Sequence, residues 1–311
     1  MKKPLTVFWG IALLLSSWAV PCAADDEFDI NAKSAVVMDA DTGKVLISKN
    51  MDLELPPAST TKVMTAVVAL EKAKLTDSFR VSGRAAGMSP SRVNLKAGDE
   101  ISVEALLYSV LLKSANDGAA ALAEGVGGTE SDFARMMNRK AKEIGAVNTN
   151  FLNASGLPEE GHYSTAYDLA LIMRYAMHDT RFMEIATTKF ATLNMGKKER
   201  MLLKNHNKLL WFYDGAGAGK TGYTVAARHC YVGEANCANT RLIVSILKSY
   251  EPWGDVKKLL DKGFELAMTG QTLAMADKEP VLKRASYTVS KKAKHHRKST
   301  RKKRHKRRRY Y

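Results

Sequence analysis

Hydrophobic and polar positions divide the chain into two strand-rich ends and a helical middle. Near the start, two short apolar runs at 35–40 and 45–48 flank the turn Asp41-Thr42-Gly43-Lys44, which is the pattern of a β-hairpin. Helical spacing then dominates, and it predicts helices over 103–112, 133–144 and 164–177. Strand patterns return late and a final helix follows them, at 227–232, 242–247 and 256–268.

This order of elements predicts an α/β fold of the α+β kind. An antiparallel sheet would be completed by the two ends of the chain and flanked by helices, with a helical subdomain of about 71–210 inserted between them. The folded body would extend over about 25–270, which is long enough for one large core.

The stretch 56–70 combines a predicted helix start with reactive side chains. Two prolines end the preceding segment, and Ser59 occupies the position expected for a helix N-cap. The run after Lys62 is apolar on almost every side, which predicts a buried helix. Burial and the positive end of the helix dipole should both lower the pKa of Lys62. Ser59 lies three residues earlier, so the pair fits a nucleophile beside its general base, but also an N-cap serine before an ordinary surface lysine.

A second polar group, Ser114 and Asn116, interrupts two predicted helices at 103–112 and 118–124. In an extended segment, side chains two residues apart point the same way, so both would face one site. The same residues also fit a polar loop in which Asp117 caps the second helix.

A third group, Lys220-Thr221-Gly222-Tyr223, ends a glycine-rich run that begins at Gly215. The glycines allow another molecule to approach the backbone closely. Lys220 and Thr221 supply a cation and a hydroxyl suited to a carboxylate or a phosphate. A nucleotide-binding P-loop is excluded, because Asp214 occupies the place of its first glycine and a strand pattern follows where a helix is required.

Charge separates a nearly neutral body from a basic tail. The chain has 48 Lys and Arg against 32 Asp and Glu, for a net charge of +16. Residues 281–311 hold 15 of the basic residues and no acidic one, so the net charge of residues 1–280 is +1. We expect the tail, 271–311, to be disordered and to bind an anionic envelope surface.

The first 24 residues have the pattern of a secretory signal peptide. Lys2 and Lys3 precede an apolar run at 5–20, and small residues follow at 22–24. We therefore expect an exported protein of the periplasm or cell envelope, where the tail would meet no nucleic acid. After cleavage, Cys230 and Cys237 would remain as unpaired thiols.

In this order and context, the three polar groups resemble the signature of the penicillin-recognising serine enzymes. Further segments are similar to D-alanyl-D-alanine carboxypeptidases, the low-molecular-mass penicillin-binding proteins of bacterial cell walls; among them are 91–100, 114–120, 156–157, 164–166 and 205–210. The resemblance covers roughly residues 30–268. It implies a β-lactamase/transpeptidase-like fold, with neither a metal nor an organic cofactor.

The resemblance implies catalytic roles for three side chains. Ser59 would attack the peptide carbonyl between two terminal D-alanines and form an acyl-enzyme. Lys62 would accept the proton of Ser59, and Ser114 would pass a proton to the departing D-alanine. Water would then release the shortened peptide.

The resemblance also implies a substrate-binding set that comprises Asn116, Lys220, Thr221, Gly222 and Tyr223. Asn116 would hold the substrate amide, while Lys220 and Thr221 would bind its terminal carboxylate. The backbone N–H groups of Ser59 and Tyr223 would form an oxyanion hole. The ligands implied are peptidoglycan stem peptides and β-lactam antibiotics.

The chain departs from its relatives where an arginine often follows the last strand and helps to bind the substrate carboxylate. The segment 248–256 contains no arginine, which leaves Lys248 and Arg228 as alternative cations. Histidine has no role in the three-group mechanism, so we expect His206 and His229 to be structural. For His162 we expect a solvent-facing position in its loop.

Three other functions share some of these features. A β-lactamase or a D,D-endopeptidase of the same fold would use the same three groups. A β-lactamase also needs a base for fast deacylation, for which Glu159 and Glu160 lie in the usual interval. A non-catalytic envelope-binding protein would depend on the basic tail instead.

Overall fold

The protein is represented by a computed structural model that describes residues 28–194 and 200–276. Its strands are β1 (Ser34–Asp39), β2 (Val45–Lys49), β3 (Ser78–Arg80), β4 (Glu100–Ser102), β5 (Phe190–Asn194), β6 (Arg200–Lys204), β7 (Ala216–Thr224), β8 (Arg228–Cys237), β9 (Thr240–Ser249) and β10 (Leu273–Ala274). Its helices are α1 (Lys62–Lys72), α2 (Gly83–Ala86), α3 (Val103–Leu112), α4 (Asn116–Gly127), α5 (Glu130–Glu143), α6 (Ala166–Ala176), α7 (Thr180–Thr187), α8 (Leu209–Phe212) and α9 (Pro252–Thr269). The expected signal peptide at 1–24 and the basic residues 281–311 lie outside the described residues.

The main sheet contains strands from both ends of the chain, in the order β10-β2-β1-β9-β8-β7. Neighbouring strands are antiparallel except β10, which runs parallel to β2. The predicted hairpin is β1–β2, in which Val37 pairs with Ile47. The predicted antiparallel sheet, built from the two chain ends around a helical insertion, is therefore confirmed.

Alternating side chains of β1 fill two separate cores, because successive strand residues point to opposite faces of the sheet. Val36 and Met38 pack toward the inserted helices, where α1 is buried from Lys62 to Leu70. Ala35 and Val37 pack on the other face against α9. The sheet is thus covered by helices on both faces, and the buried α1 agrees with the apolar pattern of its sequence.

The predicted boundaries differ from the observed ones mainly at the ends of elements. The late strands β8 and β9 have ten residues each and α9 has eighteen, so all three are longer than their apolar runs indicate. The sequence does not predict two small two-stranded sheets, β3–β4 and β5–β6. Each strand of β3–β4 has only three residues, which is too short for an alternating pattern to be recognised.

The two cysteines of the folded body are unpaired, as expected, with Cys230 buried and Cys237 exposed. Burial raises the pKa of the Cys230 thiol to about 12, so this sulfur is a poor nucleophile. None of the helices in residues 28–194 and 200–276 has both the length and the apolar character needed to cross a membrane.

Candidate active site

Ser59 lies in a single turn of 3-10 helix, Ala58–Thr61, that leads directly into α1. The predicted N-cap role is wrong, because α1 begins at Lys62 and neither the turn nor α1 has a side-chain cap. Ala58, just before the serine, has a φ of 48°, a conformation that is costly for a residue with a Cβ. The serine hydroxyl is therefore free of capping and faces the side chain of Lys62.

The Lys62 ammonium group lies among three oxygen atoms. Nζ is 2.9 Å from Ser59 Oγ, 2.7 Å from Asn116 Oδ1 and 2.6 Å from the backbone oxygen of Ser155. The side chain is fully buried at the start of α1. Ser155 contributes only its carbonyl, so its side-chain identity gave no signal in the sequence.

These partners determine which way a neutral lysine would point its lone pair. A neutral amine has two N–H groups and one lone pair. The carbonyl oxygens of Asn116 and Ser155 can only accept hydrogen bonds, so they take both N–H groups. The lone pair is then directed at Ser59 Oγ, where it can accept the hydroxyl proton.

The surroundings of Lys62 favour this neutral form. Burial holds the pKa of its ammonium group well below the ordinary value, and the positive charge of Lys220 lowers it further. The carboxylate of Asp117 acts in the opposite direction. That carboxylate is buried and accepts hydrogen bonds from the backbone N–H groups of Val93 and Leu95.

Ser114 and Asn116 reach the site, but not from an extended segment as predicted. Ser114 has a left-handed backbone with a φ of 59°, and Asn116 is already the first residue of α4. This turn sends the two side chains to different partners. Asn116 Oδ1 accepts from Lys62, while its Nδ2 donates to the carbonyl of Ser89 at 3.0 Å. One Nδ2 hydrogen remains for a ligand.

A second buried lysine, Lys220, extends from β7 toward Ser114. Its Nζ donates to Ser114 Oγ at 3.1 Å and to the backbone oxygen of Thr221 at 2.8 Å. Burial lowers the pKa of Lys220 to about 7. This group can therefore be a cation or a neutral amine near neutral pH, and it lies where either form can exchange a hydrogen bond with Ser114.

Strand β7 is the edge of the main sheet and lies against the turn that carries Ser59. A Cβ on Gly222 would lie 2.9 Å from the backbone nitrogen of Ser59 and 3.1 Å from the backbone oxygen of Pro57. Any side chain at this position would push the strand away from the serine. The glycine is therefore needed for close approach.

The glycines before Lys220 have a different purpose from the one predicted. A Cβ on Gly217 would collide with the Glu234 carboxylate, and one on Gly219 would collide with the Tyr231 hydroxyl. Tyr231 is fully buried, and its hydroxyl donates to Asn207 Oδ1 at 3.2 Å. The glycine run thus accommodates side chains of this same chain, and only Gly222 of these positions approaches the nucleophile.

The three groups open onto one cleft of about 640 Å³. Ser59, Ser114, Asn116, Thr221, Gly222 and Tyr223 line it, together with Leu157, Lys208 and Trp253. Arg228 and Lys248, the cations considered from the sequence, are not among the lining residues. Lys208 does line the cleft, and its exposed side chain has no hydrogen-bond or ion-pair partner within the described ranges. Its segment, 205–210, is one of those that resemble the D-alanyl-D-alanine carboxypeptidases.

One of the three histidines considered from the sequence, His162, does not have the predicted exposure to solvent. His162 is wrongly predicted to face solvent, since only 5% of it is exposed and its ring contacts Thr61 and Leu152. The loop sequence is rich in glycine, proline and glutamate, which is typical of an exposed loop. In the structure, part of the loop packs against the start of α1. His206 and His229 both line the cleft, and the His229 ring packs on Tyr223 at a centroid distance of 4.7 Å.

A serine beside a buried lysine, a Ser-x-Asn turn and a lysine on an edge strand, arranged around one cleft, define a penicillin-recognising serine enzyme. Residues 21–250 match the sequence profile of the peptidase S11 family, described as D-alanyl-D-alanine carboxypeptidase. The chain belongs to this family.

Individual relatives and solved structures agree with this assignment. The chain is 38% identical to the D-alanyl-D-alanine carboxypeptidase DacF of Bacillus subtilis over 277 residues, which covers 85% of this chain and 71% of DacF. A crystal structure of a Mycobacterium tuberculosis D-alanyl-D-alanine carboxypeptidase matches with a TM-score of 0.73 at 34% identity, over 76% of this chain and 92% of that one. A variant of the Streptomyces K15 DD-transpeptidase matches with a TM-score of 0.72 at 31% identity, over 76% and 99% respectively.

Proposed function

We propose that the chain is a serine D-alanyl-D-alanine carboxypeptidase that removes the terminal D-alanine of peptidoglycan stem peptides through an acyl-enzyme on Ser59. The observation that carries this proposal is the 2.9 Å contact between Nζ of the fully buried Lys62 and Oγ of Ser59, which lines the cleft. A neutral amine held at that distance is a general base for the hydroxyl.

Acylation begins when Ser59 Oγ attacks the carbonyl carbon of the penultimate D-alanine. The hydroxyl proton moves to the lone pair of Lys62, which its two carbonyl partners direct at Ser59. The carbonyl oxygen becomes an oxyanion, stabilised by the backbone N–H groups of Ser59 and Tyr223. The close approach of β7 at Gly222 supports this pairing of donors.

The tetrahedral adduct then breaks the bond to the departing D-alanine. The leaving nitrogen takes a proton from Ser114 Oγ, and Lys220, which donates to that oxygen, replaces it. Lys62 then releases to solvent the proton that it took from Ser59, and Lys220 regains a proton from solvent, so both lysines return to their starting forms. Water next attacks the acyl carbonyl and gives a proton to the neutral Lys62, which passes it to Ser59 Oγ as the acyl bond breaks. The products are the shortened peptide and free Ser59.

Substrate binding uses the mouth of the same cleft. The terminal carboxylate pairs with protonated Lys220 and accepts a hydrogen bond from the Thr221 hydroxyl. The remaining Nδ2 hydrogen of Asn116 donates to the substrate amide carbonyl. A β-lactam carboxylate and carbonyl would take the same positions, so penicillin should acylate Ser59.

The nucleophile is tested by labelling the protein with a fluorescent penicillin and identifying the modified peptide by mass spectrometry. The adduct is expected on Ser59, and Ser59→Ala should lose both labelling and D-alanine release while retaining its fold. Circular dichroism and the melting temperature of the variant provide the control for folding. Acylation of the Ser59→Ala protein would overturn the assignment.

A β-lactamase of the same fold would deacylate rapidly, and the geometry does not favour it. Glu159 and Glu160 are not among the described residues that line the cleft. The Glu159 carboxylate instead accepts a hydrogen bond from Asn153 at 3.2 Å within its own loop. The penicillin adduct should therefore persist for many minutes, whereas rapid multiple turnover of penicillin would identify a β-lactamase. Release of cross-linked dimers from purified peptidoglycan would reveal endopeptidase activity.

The proposal includes export and a role for the basic tail. Lys2, Lys3 and the apolar run at 5–20 support a signal peptide at 1–24 that directs the enzyme to the periplasm or cell envelope. The 15 basic residues of 281–311 support an electrostatic tether to anionic envelope surfaces. Each basic residue near an anionic membrane contributes about 1 kcal/mol to binding. Contact of only some of these residues with the surface would therefore hold the enzyme there.

The tether is tested by truncation after Pro280. The truncated enzyme should keep its activity on a small D-Ala-D-Ala peptide but leave the envelope fraction. The full-length enzyme should be released by high salt without detergent, because salt screens exposed charges. Retention of the truncated protein in the envelope fraction would contradict this role.

A further inference from the structure

His162 is a buried histidine that the three-group mechanism does not use. It belongs to the loop 150–163, and its ring lies against the 3-10 turn that leads into α1. Its ring contacts Phe151 edge-on at a centroid distance of 5.8 Å. Both ring nitrogens have partners within the protein, so the ring has one orientation and one set of hydrogen bonds.

The two partners define the tautomer of the ring. The backbone N–H of Leu152 donates to Nδ1 at 3.1 Å, so Nδ1 carries no proton. In the neutral ring the proton is then on Nε2, which lies 3.0 Å from Thr61 Oγ1 and donates to it. Burial and the positive charge of Lys62 lower the pKa of His162 to about 4, which keeps the ring neutral at physiological pH.

These hydrogen bonds join the two segments that hold Lys62. Thr61 immediately precedes Lys62 in the chain. Leu152 belongs to the same loop as Ser155, whose carbonyl accepts from Lys62 at 2.6 Å. A movement between the turn and the loop would change that distance and turn the lysine lone pair away from Ser59.

We propose that His162 is a positioning residue for acylation, whose Nε2–H holds Thr61 against the loop that presents the Ser155 carbonyl to Lys62. Charged groups at this junction include Lys62 on α1, Glu159 on the loop and Glu130 of α5, whose carboxylate accepts from the Ala154 N–H at 3.1 Å. The Glu159 backbone carbonyl accepts from the His162 N–H at 3.1 Å, and its carboxylate is bound to Asn153. The imidazole is thus a neutral link beside the general base.

Two substitutions separate the hydrogen bonds of the ring. In His162→Asn, the side-chain oxygen can replace Nδ1 as acceptor for Leu152 but cannot reach Thr61. In His162→Gln, the terminal amide can replace Nε2 as donor to Thr61 but leaves Leu152 without its acceptor. Thr61→Val removes the hydroxyl with little change of shape, and Thr61→Ser retains it.

Acylation by a fluorescent penicillin is measured at increasing concentration, which separates the rate constant of acylation from the affinity of the initial complex. We expect His162→Asn and Thr61→Val to lower the acylation rate constant about 10-fold or more, with the affinity unchanged, because misplaced catalytic groups lose rate before binding. His162→Gln and Thr61→Ser should remain within about threefold of wild type. Thr187→Val is the matched control, since the Thr187 hydroxyl donates to the Met183 carbonyl within α7.

The proposal is wrong if His162→Gln loses as much rate as His162→Asn, or if Thr61→Val acylates at the wild-type rate. Nitrogen-15 NMR of labelled histidine provides an independent check, and a protonated Nδ1 at pH 6 would also overturn it. The inference rests on the roles proposed for Ser59 and Lys62. Failure of those roles is distinguishable, because the penicillin adduct of the wild-type enzyme would then be found on a residue other than Ser59, or Lys62→Arg would acylate at the wild-type rate.

Discussion

Gly222 of β7 lies so close to Ser59 that a Cβ at position 222 would be 2.9 Å from the serine backbone nitrogen. Two segments more than 160 residues apart in sequence therefore meet with no side chain between them. This contact places the edge of the main sheet beside the nucleophile, where the proposed oxyanion hole needs N–H groups from both segments.

Gly222→Ala is expected to abolish acylation, because its methyl group would displace β7 from the turn that carries Ser59. Overpacking of this kind should also lower the free energy of unfolding by about 1–3 kcal/mol. The matched control is Gly254→Ala in α9, where a Cβ would meet no atom within 4 Å. That control should acylate normally and be unchanged or up to about 1 kcal/mol more stable. A Gly222→Ala enzyme with wild-type acylation would show that the contact is dispensable.

The base is tested by Lys62→Arg and by the pH dependence of the wild type. The arginine guanidinium stays protonated at every pH of the assay and cannot accept the proton of Ser59. The acylation rate should therefore fall by about 10²- to 10⁴-fold. In the wild type, burial lowers the pKa of Lys62, and only the deprotonated amine accepts the serine proton. The acylation rate should therefore rise with pH through that lowered pKa and then level off. A rate that is constant from mild acid to mild alkali would point to a different base.

Substrate affinity should fall as the pH rises, in contrast to the acylation rate, because Lys220 loses its proton. Burial lowers the pKa of Lys220 to about 7, so the cation proposed to pair with the substrate carboxylate is present below that pH and lost above it. KM for a D-Ala-D-Ala peptide is expected to rise above pH 7. A peptide amide, which has no terminal carboxylate, should bind weakly at every pH. An equal pH effect on both ligands would exclude Lys220 as the carboxylate partner.

Lys208 is expected to contribute the outer cation of carboxylate binding. It lines the cleft, whereas Lys204 lies away from it, with its ammonium group over the rings of Phe190 and Trp211. Lys208→Ala should raise KM about 3- to 10-fold at low salt and much less at high salt, since exposed charges are screened. Lys204→Ala removes the same charge outside the cleft and should leave KM unchanged. Equal effects of the two substitutions would indicate a general rather than a local role of charge.

The sequence predicted the residues whose proposed roles depend on side chains at recognisable spacings. Ser59, Lys62, Ser114 and Lys220 were identified this way, and the structure brings them to one cleft. The features that the sequence did not predict depend on backbone geometry and on contacts between distant segments. The Ser155 carbonyl could be supplied by almost any residue, so no residue type marks it.

The same reason explains the errors in local structure. Ser59 has the residue type of an N-cap, but packing of the turn against β7 places it within a 3-10 helix instead. His162 has the setting of an exposed loop residue, yet its ring is buried and contacts Thr61, just before α1, and Leu152 of its own loop. Tertiary contacts of this kind outweigh local sequence preference.

Two lysines buried in one site also affect the stability of the whole molecule. In the unfolded chain, Lys220 keeps a pKa near 10.5, whereas burial lowers it to about 7 in the folded protein. Protonation therefore favours the unfolded state at and below neutral pH, and this penalty disappears above pH 10.5. Lys220→Met should then raise the melting temperature at pH 7 even though it removes the proposed partner of the substrate carboxylate, and the gain should shrink in alkaline buffer. The active site of this enzyme is thus a region where part of the possible folding stability is given up for catalysis.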